Sequence, residues 1–84
     1  MDYAKPVRDF VVSNFLFGEA GSLESDTSFL DSGIIDSTGM LEMILFLENT
    51  WAVKVEPEEM IPENLDSINR VAQFLKRKVA RAPA

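Results

Sequence analysis

Between Ser37 and Trp51, the side chains of Met40, Met43, Ile44, Leu47 and Trp51 recur at intervals of three and four. That spacing places them on one face of an α-helix; a half-buried strand would need a period of two. Asp36 is the expected N-cap, because its short carboxylate can accept a bond from a first-turn amide. Leu41 and Leu45 make a second apolar row beside the first. Together the rows present more apolar surface than one core face needs. Glu42, Glu48 and Asn49 supply the polar remainder.

The rest of the chain reads around this helix. Residues 2–17 have Val7, Phe10, Val11 and Phe15 near helical spacing, with Asp2 as N-cap and Gly18 as the stop. Residues 18–36 form a long connection rich in Gly, Ser, Asp and Glu that still carries Leu23, Phe29, Leu30, Ile34 and Ile35. A connection of this length in a compact domain is usually functional, and its apolar residues predict packing over the helices. Pro57 suits the first turn of a short helix through Met60, and Pro62 ends or restarts it. Asp66 is the expected cap of a last helix from Ser67 to about Ala80, with Ile68, Val71, Ala72 and Leu75 inward. Lys76, Arg77, Lys78 and Arg81 gather at its C-terminal end, where they complement the helix dipole. No strand is predicted, since "VKV" at 53–55 is too short to anchor a sheet. The expected fold is all-α: one domain over residues 1–84, a small bundle of three to four helices with a long loop between the first two main ones.

Composition removes several function classes. The 84 residues include neither cysteine nor histidine. Disulfides, thiolate metal sites, cysteine nucleophiles and imidazole bases are therefore absent. A net charge of −6 disfavours nucleic acid and anionic membranes and favours a partner with a basic docking surface. No apolar run approaches the ~18–20 residues that span a bilayer. With no signal-peptide pattern at the N-terminus, the expected location is the cytoplasm.

The dipeptide Asp-Ser occurs three times, at 31–32, 36–37 and 66–67. The first precedes Gly33 and reads as a turn. The third reads as a helix cap. The second places Ser37 in the first turn of the main helix, after the long loop and the apolar pair Ile34–Ile35. A helix N-terminus offers free amides and a positive dipole end, which suits a phosphate. Capping alone explains Asp36-Ser37 as well, so the dipeptide does not decide between the two readings.

The wider order of elements resembles the acyl carrier protein family, with its aminoacyl and peptidyl carriers. "FLDSGIIDSTGMLEMILFLENTW" matches the loop end and second helix of that family, and "VKVEPEEMIPENLDSINRVAQFLKRK" the remainder. The resemblance implies a bundle of acyl-carrier type. It implies that Ser37 is esterified by the phosphate of 4′-phosphopantetheine, placed there by a phosphopantetheinyl transferase that uses coenzyme A and magnesium. The arm's thiol, which this chain cannot supply itself, then holds the cargo as a thioester. The implied partners are that transferase, an acyl- or aminoacyl-activating ligase, and acyltransferase or synthase enzymes. The protein is then a monomeric carrier, not an enzyme, with no protein metal site. The main expectation is an acyl carrier for fatty acid or secondary metabolite biosynthesis. Many fatty acid carriers hold Gly and Leu where this chain holds Ile34 and Thr38, and "GIIDSTG" is similar to the motif of D-alanyl and peptidyl carriers. An aminoacyl or peptidyl carrier is thus the alternative, followed by an unmodified helical interaction domain.

The expected docking surface surrounds Ser37. Asp36 and Thr38 flank it. Leu41 and Leu45 continue the row from Thr38, and Glu42 and Glu48 form an acidic rim. The competing reading buries Leu41 and Leu45 under the long loop. A carboxylate enzyme built on Asp31, Asp36 and Glu42 is the weakest reading, because carboxylates at helix N-termini are held ionised by the dipole. For the inner face, Met40, Met43, Ile44, Leu47 and Trp51 are expected beside the last helix. They form either a tight core or one that opens for a short or medium acyl chain.

Overall fold

A computed structural model describes residues 2–16, 18, 21 and 23–81, the last in its backbone only. Five α-helices and one short 3₁₀ turn follow in chain order, and no strand occurs among the described residues. The helices are α1 (Ala4–Phe15), α2 (Phe29–Ser32), α3 (Ser37–Trp51), α4 (Pro62–Leu65) and α5 (Ile68–Arg81), with the 3₁₀ turn at Pro57–Glu59. The all-α bundle expected from the sequence is the fold observed.

α1 begins where the Asp2 carboxylate accepts the amides of Ala4, at 3.0 Å, and Lys5, at 3.3 Å. It ends at Phe15, and the Gly18 amide turns back to the Val12 carbonyl with φ of 86°. Phe17, at the end of the expected helix, lies outside the described residues. α3 runs from Ser37 to Trp51, the bounds read from its apolar spacing, and Asp36 caps it through a 2.7 Å bond from the Gly39 amide. Gly39 permits a close approach there. A Cβ at that position would stand 2.6 Å from Phe15 Cε1 and 3.2 Å from Ile35 Cγ2, so the end of α1 closes on the first turn of α3 through this gap.

The core is built by α1, α3 and α5. Val7 and Val11 come from α1, Met43, Ile44 and Leu47 from α3, and Ile68, Val71, Phe74 and Leu75 from α5. Leu23, Phe29, Ile35, Val55 and Leu65 complete it from the connections, α2 and α4. Each such side chain stabilises the fold by about 1.5–3 kcal/mol on full burial. Phe74 was not among the residues read as inward from spacing, yet it is buried. Trp51, expected beside the last helix, has its aromatic partners elsewhere. It meets Tyr3 of the N-terminal segment and Phe46, with ring centroids 5.9 and 5.7 Å away, and Phe46 stacks on Phe10 at 4.2 Å. Flat rings meet along the seam between α1 and α3.

The long connection is more ordered than its composition implies. Asp31 and Ser32 are not an isolated turn; they form the second half of α2. Ser28 caps that helix by accepting the Asp31 amide, and Gly33 closes it with φ of 75°. Three contacts fasten the connection to the bundle. Arg8 donates to the Leu23 carbonyl. Asn69 donates its amide to the Ser25 carbonyl and its side chain to Asp26. Asp66 holds α2.

That last contact corrects the expected role of Asp66. The cap of α5 is Ser67, 3% exposed, whose Oγ accepts the Arg70 amide at 3.1 Å. Asp66 instead closes α4 and turns its carboxylate to α2, accepting from the Leu30 amide at 2.9 Å and from the Ser28 hydroxyl. The first turn of α2 has orphan amides that need acceptors, and the loop brings them to Asp66. Pro62 restarts the chain as α4. Within the basic cluster, Lys78 pairs with Glu59 at 2.9 Å and Arg77 donates to the Asn64 side chain. The Arg81 side chain lies outside the described residues.

Glu48 also has a structural role. α3 ends at Ala52 in the left-handed region, φ 54°, a conformation that costs a non-glycine residue roughly 1–2 kcal/mol. The half-buried Glu48 carboxylate accepts the Val55 amide at 2.9 Å and holds the chain after that turn. Glu48→Ala is expected to lower unfolding stability by about 1.5–3 kcal/mol, the usual worth of a hydrogen bond to a charged group. A urea melt with an unchanged m-value is the measurement, and an unchanged midpoint would refute this role.

Candidate functional site

Ser37 is exposed at the first residue of α3. The bond from Gly39 fixes the Asp36 side chain, and the Asp36 carbonyl accepts the Met40 amide at 2.9 Å, so this turn is rigidly defined. The amides of Ser37 and Thr38 belong to the helix's unsatisfied first turn and point to the space around the hydroxyl. α3 has 15 residues, long enough for its dipole to favour an anion there.

An open groove lies on each side of this turn. One, of about 210 Å³, is walled by Leu30, Met40, Leu41, Met60, Ile61 and Leu65, with Ser37 and Asp66 at its edge. The other runs past Phe15, Ile34, Asp36, Thr38 and Glu42 and is more polar. Leu41 and Leu45 are 57% and 58% exposed, so the long loop does not cover them. Thr38 and Glu42 share their exposed side of the helix. Glu48, half-buried, accepts the Val55 amide with one carboxylate oxygen.

Three flanking apolar residues were missed from the sequence. Leu30, Met60 and Ile61 are 44%, 41% and 41% exposed around the same groove. Met60 and Ile61 fall between Pro57 and Pro62, outside any periodic face. An apolar pair enclosed by two helix-starting prolines was the only available signal. Among the described residues no three His, Cys, Asp or Glu side chains gather to hold a metal. No helix among the described residues is long and apolar enough to cross a membrane.

The inner face of α3 is close-packed, with Met43 and Leu47 fully buried and Ile44 5% exposed. Met40, at the start of that face, walls the groove.

Taken together, this geometry leaves the Ser37 hydroxyl exposed at the start of a long helix, between two open grooves. No family model matches the chain. It is 34% identical over 61 residues to the D-alanyl carrier protein of Streptococcus uberis, covering 73% of this chain and 77% of that one. It is 33% identical over 55 residues to that of Abiotrophia defectiva, covering 66% and 70%. With that of Streptococcus pyogenes serotype M5 the figures are 33% over 58 residues, 69% and 73%. The chain belongs to the phosphopantetheine-binding carrier proteins, the family of these D-alanyl carriers. A setting in fatty acid or secondary metabolite biosynthesis, part of the main expectation, finds no support in these relatives.

Proposed function

We propose that this chain is an aminoacyl carrier whose cargo is a small amino acid of the size of D-alanine, held on a 4′-phosphopantetheine arm at Ser37. The observation that carries the cargo class is the kinship with proteins named D-alanyl carrier protein. The residues present fit the arm. An exposed hydroxyl stands at the positive end of a 15-residue helix, suited to a phosphate ester, and an apolar groove begins beside it. When bound, the arm supplies the thiol that this cysteine-free chain lacks. The protein's own part is to hold Ser37 outward through the Asp36 cap and to offer partner enzymes a surface around it. Asp36 also stands, by the family resemblance, near the transferase's magnesium.

That surface is the row Thr38, Leu41 and Leu45 with Glu42 at its edge. Exposed acids steer a basic partner but contribute only ~0–1 kcal/mol each as pairs. The leucines supply the apolar contact. Leu41→Ala and Leu45→Ala are expected to slow loading by the transferase or ligase roughly tenfold, the effect of losing about 1.4 kcal/mol at an interface. Glu42→Ala should do less, and rising salt should erase its effect. Leucine variants that stay helical and load at the wild-type rate would place docking elsewhere.

The function is tested by mass spectrometry in two stages. Incubation with a broad-specificity phosphopantetheinyl transferase and coenzyme A should add one arm. A D-alanine-activating ligase with ATP should then add D-alanine, whereas an acyl-activating ligase should add no medium-chain fatty acid. Absence of the arm would favour the unmodified interaction domain, and the reverse cargo preference would favour a fatty acyl carrier.

A further inference from the structure

We infer that Asp66 is a positioning residue for the attachment reaction at Ser37, acting through α2. This inference rests on the proposed modification of Ser37. α2 has four residues, far short of the ~12–15 that an isolated helix needs to persist in water. Its first turn is held from outside. The Phe29 amide donates to the Asp66 carbonyl at 2.8 Å, and the Leu30 amide donates to the Asp66 carboxylate at 2.9 Å. The Ser28 hydroxyl donates to the other carboxylate oxygen while its Oγ accepts the Asp31 amide. The first two amides of α2 are therefore satisfied by Asp66, one by its carbonyl and one by its carboxylate, and the third by the Ser28 hydroxyl that the carboxylate holds.

Asp66 is itself well anchored. Its amide donates to the Pro62 carbonyl at 3.0 Å, and the next residue is the buried cap of α5. From α2 the chain reaches the attachment site within a few residues. The Ile35 amide returns to the Phe29 carbonyl at 3.3 Å, Ile35 is 1% exposed, and Asp36 then caps α3. Leu30 and Asp66 also line the groove that Ser37 opens onto. Loss of the Asp66 carboxylate releases the wall of the site while α1, α3 and α5 keep their own caps and core. A transferase must then select the ordered fraction, which raises its KM and leaves kcat alone, because the apparent affinity falls with the competent population.

The test uses the full chain as Asp66→Ala, Asp66→Asn, Ser28→Ala and Ser67→Ala. The transferase is assayed by mass spectrometry over a range of carrier concentrations, and amide hydrogen exchange is measured at Leu30 and Asp31. Asp66→Ala should raise KM roughly tenfold, since hydrogen bonds to a charged group are lost. Its kcat should stay within about twofold, and exchange at Leu30 and Asp31 should accelerate while α3 and α5 keep theirs. Asp66→Asn retains an acceptor for Leu30 and a polar partner for Ser28 and should recover most of the affinity. Ser28→Ala should fall between, and it keeps the inference testable if Asp66→Ala does not fold. Ser67→Ala, which removes the α5 cap, should lower stability without changing KM. Wild-type loading with unchanged KM in the Asp66→Ala and Ser28→Ala proteins would overturn this inference alone. A wild-type chain that accepts no arm would overturn the function on which it rests as well.

Discussion

Ser37→Ala is expected to abolish the gain in mass on incubation with transferase and coenzyme A, while Ser32→Ala and Ser67→Ala retain it. The three serines follow an aspartate in the same way but sit in different surroundings. Ser67 is buried, and its Oγ is committed to the Arg70 amide. Ser32 is exposed at the end of α2, where its Oγ contacts the Phe29 carbonyl and the Ile34 amide. A helix C-terminus is the negative end of the dipole and repels a phosphate. Ser37 alone stands exposed at the positive end of a long helix, between two grooves. The effect is all or none because the attacking oxygen is removed. A mass shift surviving in Ser37→Ala would show that another hydroxyl is the acceptor. Circular dichroism should be unchanged, since the Ser37 side chain is exposed and the cap of α3 belongs to Asp36.

Leu47→Ala is expected to destabilise the fold by about 2–5 kcal/mol, whereas Leu45→Ala shifts it by less than about 0.5 kcal/mol. Both leucines lie on the same stretch of α3. Leu47 is fully buried between α3 and the rest of the core, and Leu45 is 58% exposed. Truncating Leu47 loses the transfer free energy of its methyl groups and leaves a cavity that rigid helices cannot fully close. Truncating Leu45 leaves no cavity. Total stability of a small domain is only about 5–15 kcal/mol, so the Leu47 change alone should move a thermal midpoint by many degrees. Urea melts of the two variants settle it: equal destabilisation would mean that both rows of α3 are core, and the docking surface would be lost with that result. Together with the loading rates, the pair separates stability from recognition on one helix.

What could be read from the chain was what depends on neighbours in sequence. The bounds of α3, its Asp36 cap and its two apolar rows follow from spacing and from one short polar side chain, and all of these interactions lie within a few residues. The same holds for Asp2 over α1 and for Gly18 after it. The resemblance to the carrier family rested on the order and spacing of these elements. The acceptor role of Glu48 was not legible because it depends on where Val55 returns after a left-handed Ala52. The ring partners of Trp51 were not legible because spacing gives a face, not the neighbour that face will meet. α2 was invisible because four residues carry no period, and its stability comes from Asp66, which lies 36 residues from Leu30 along the chain. Asp66 in turn was read as a cap, the commonest local use of its residue type. Local propensity chose the helices and their ends. Only tertiary packing decided which polar groups would satisfy which orphan amides across the bundle, because that depends on distances in space that no spacing in sequence encodes.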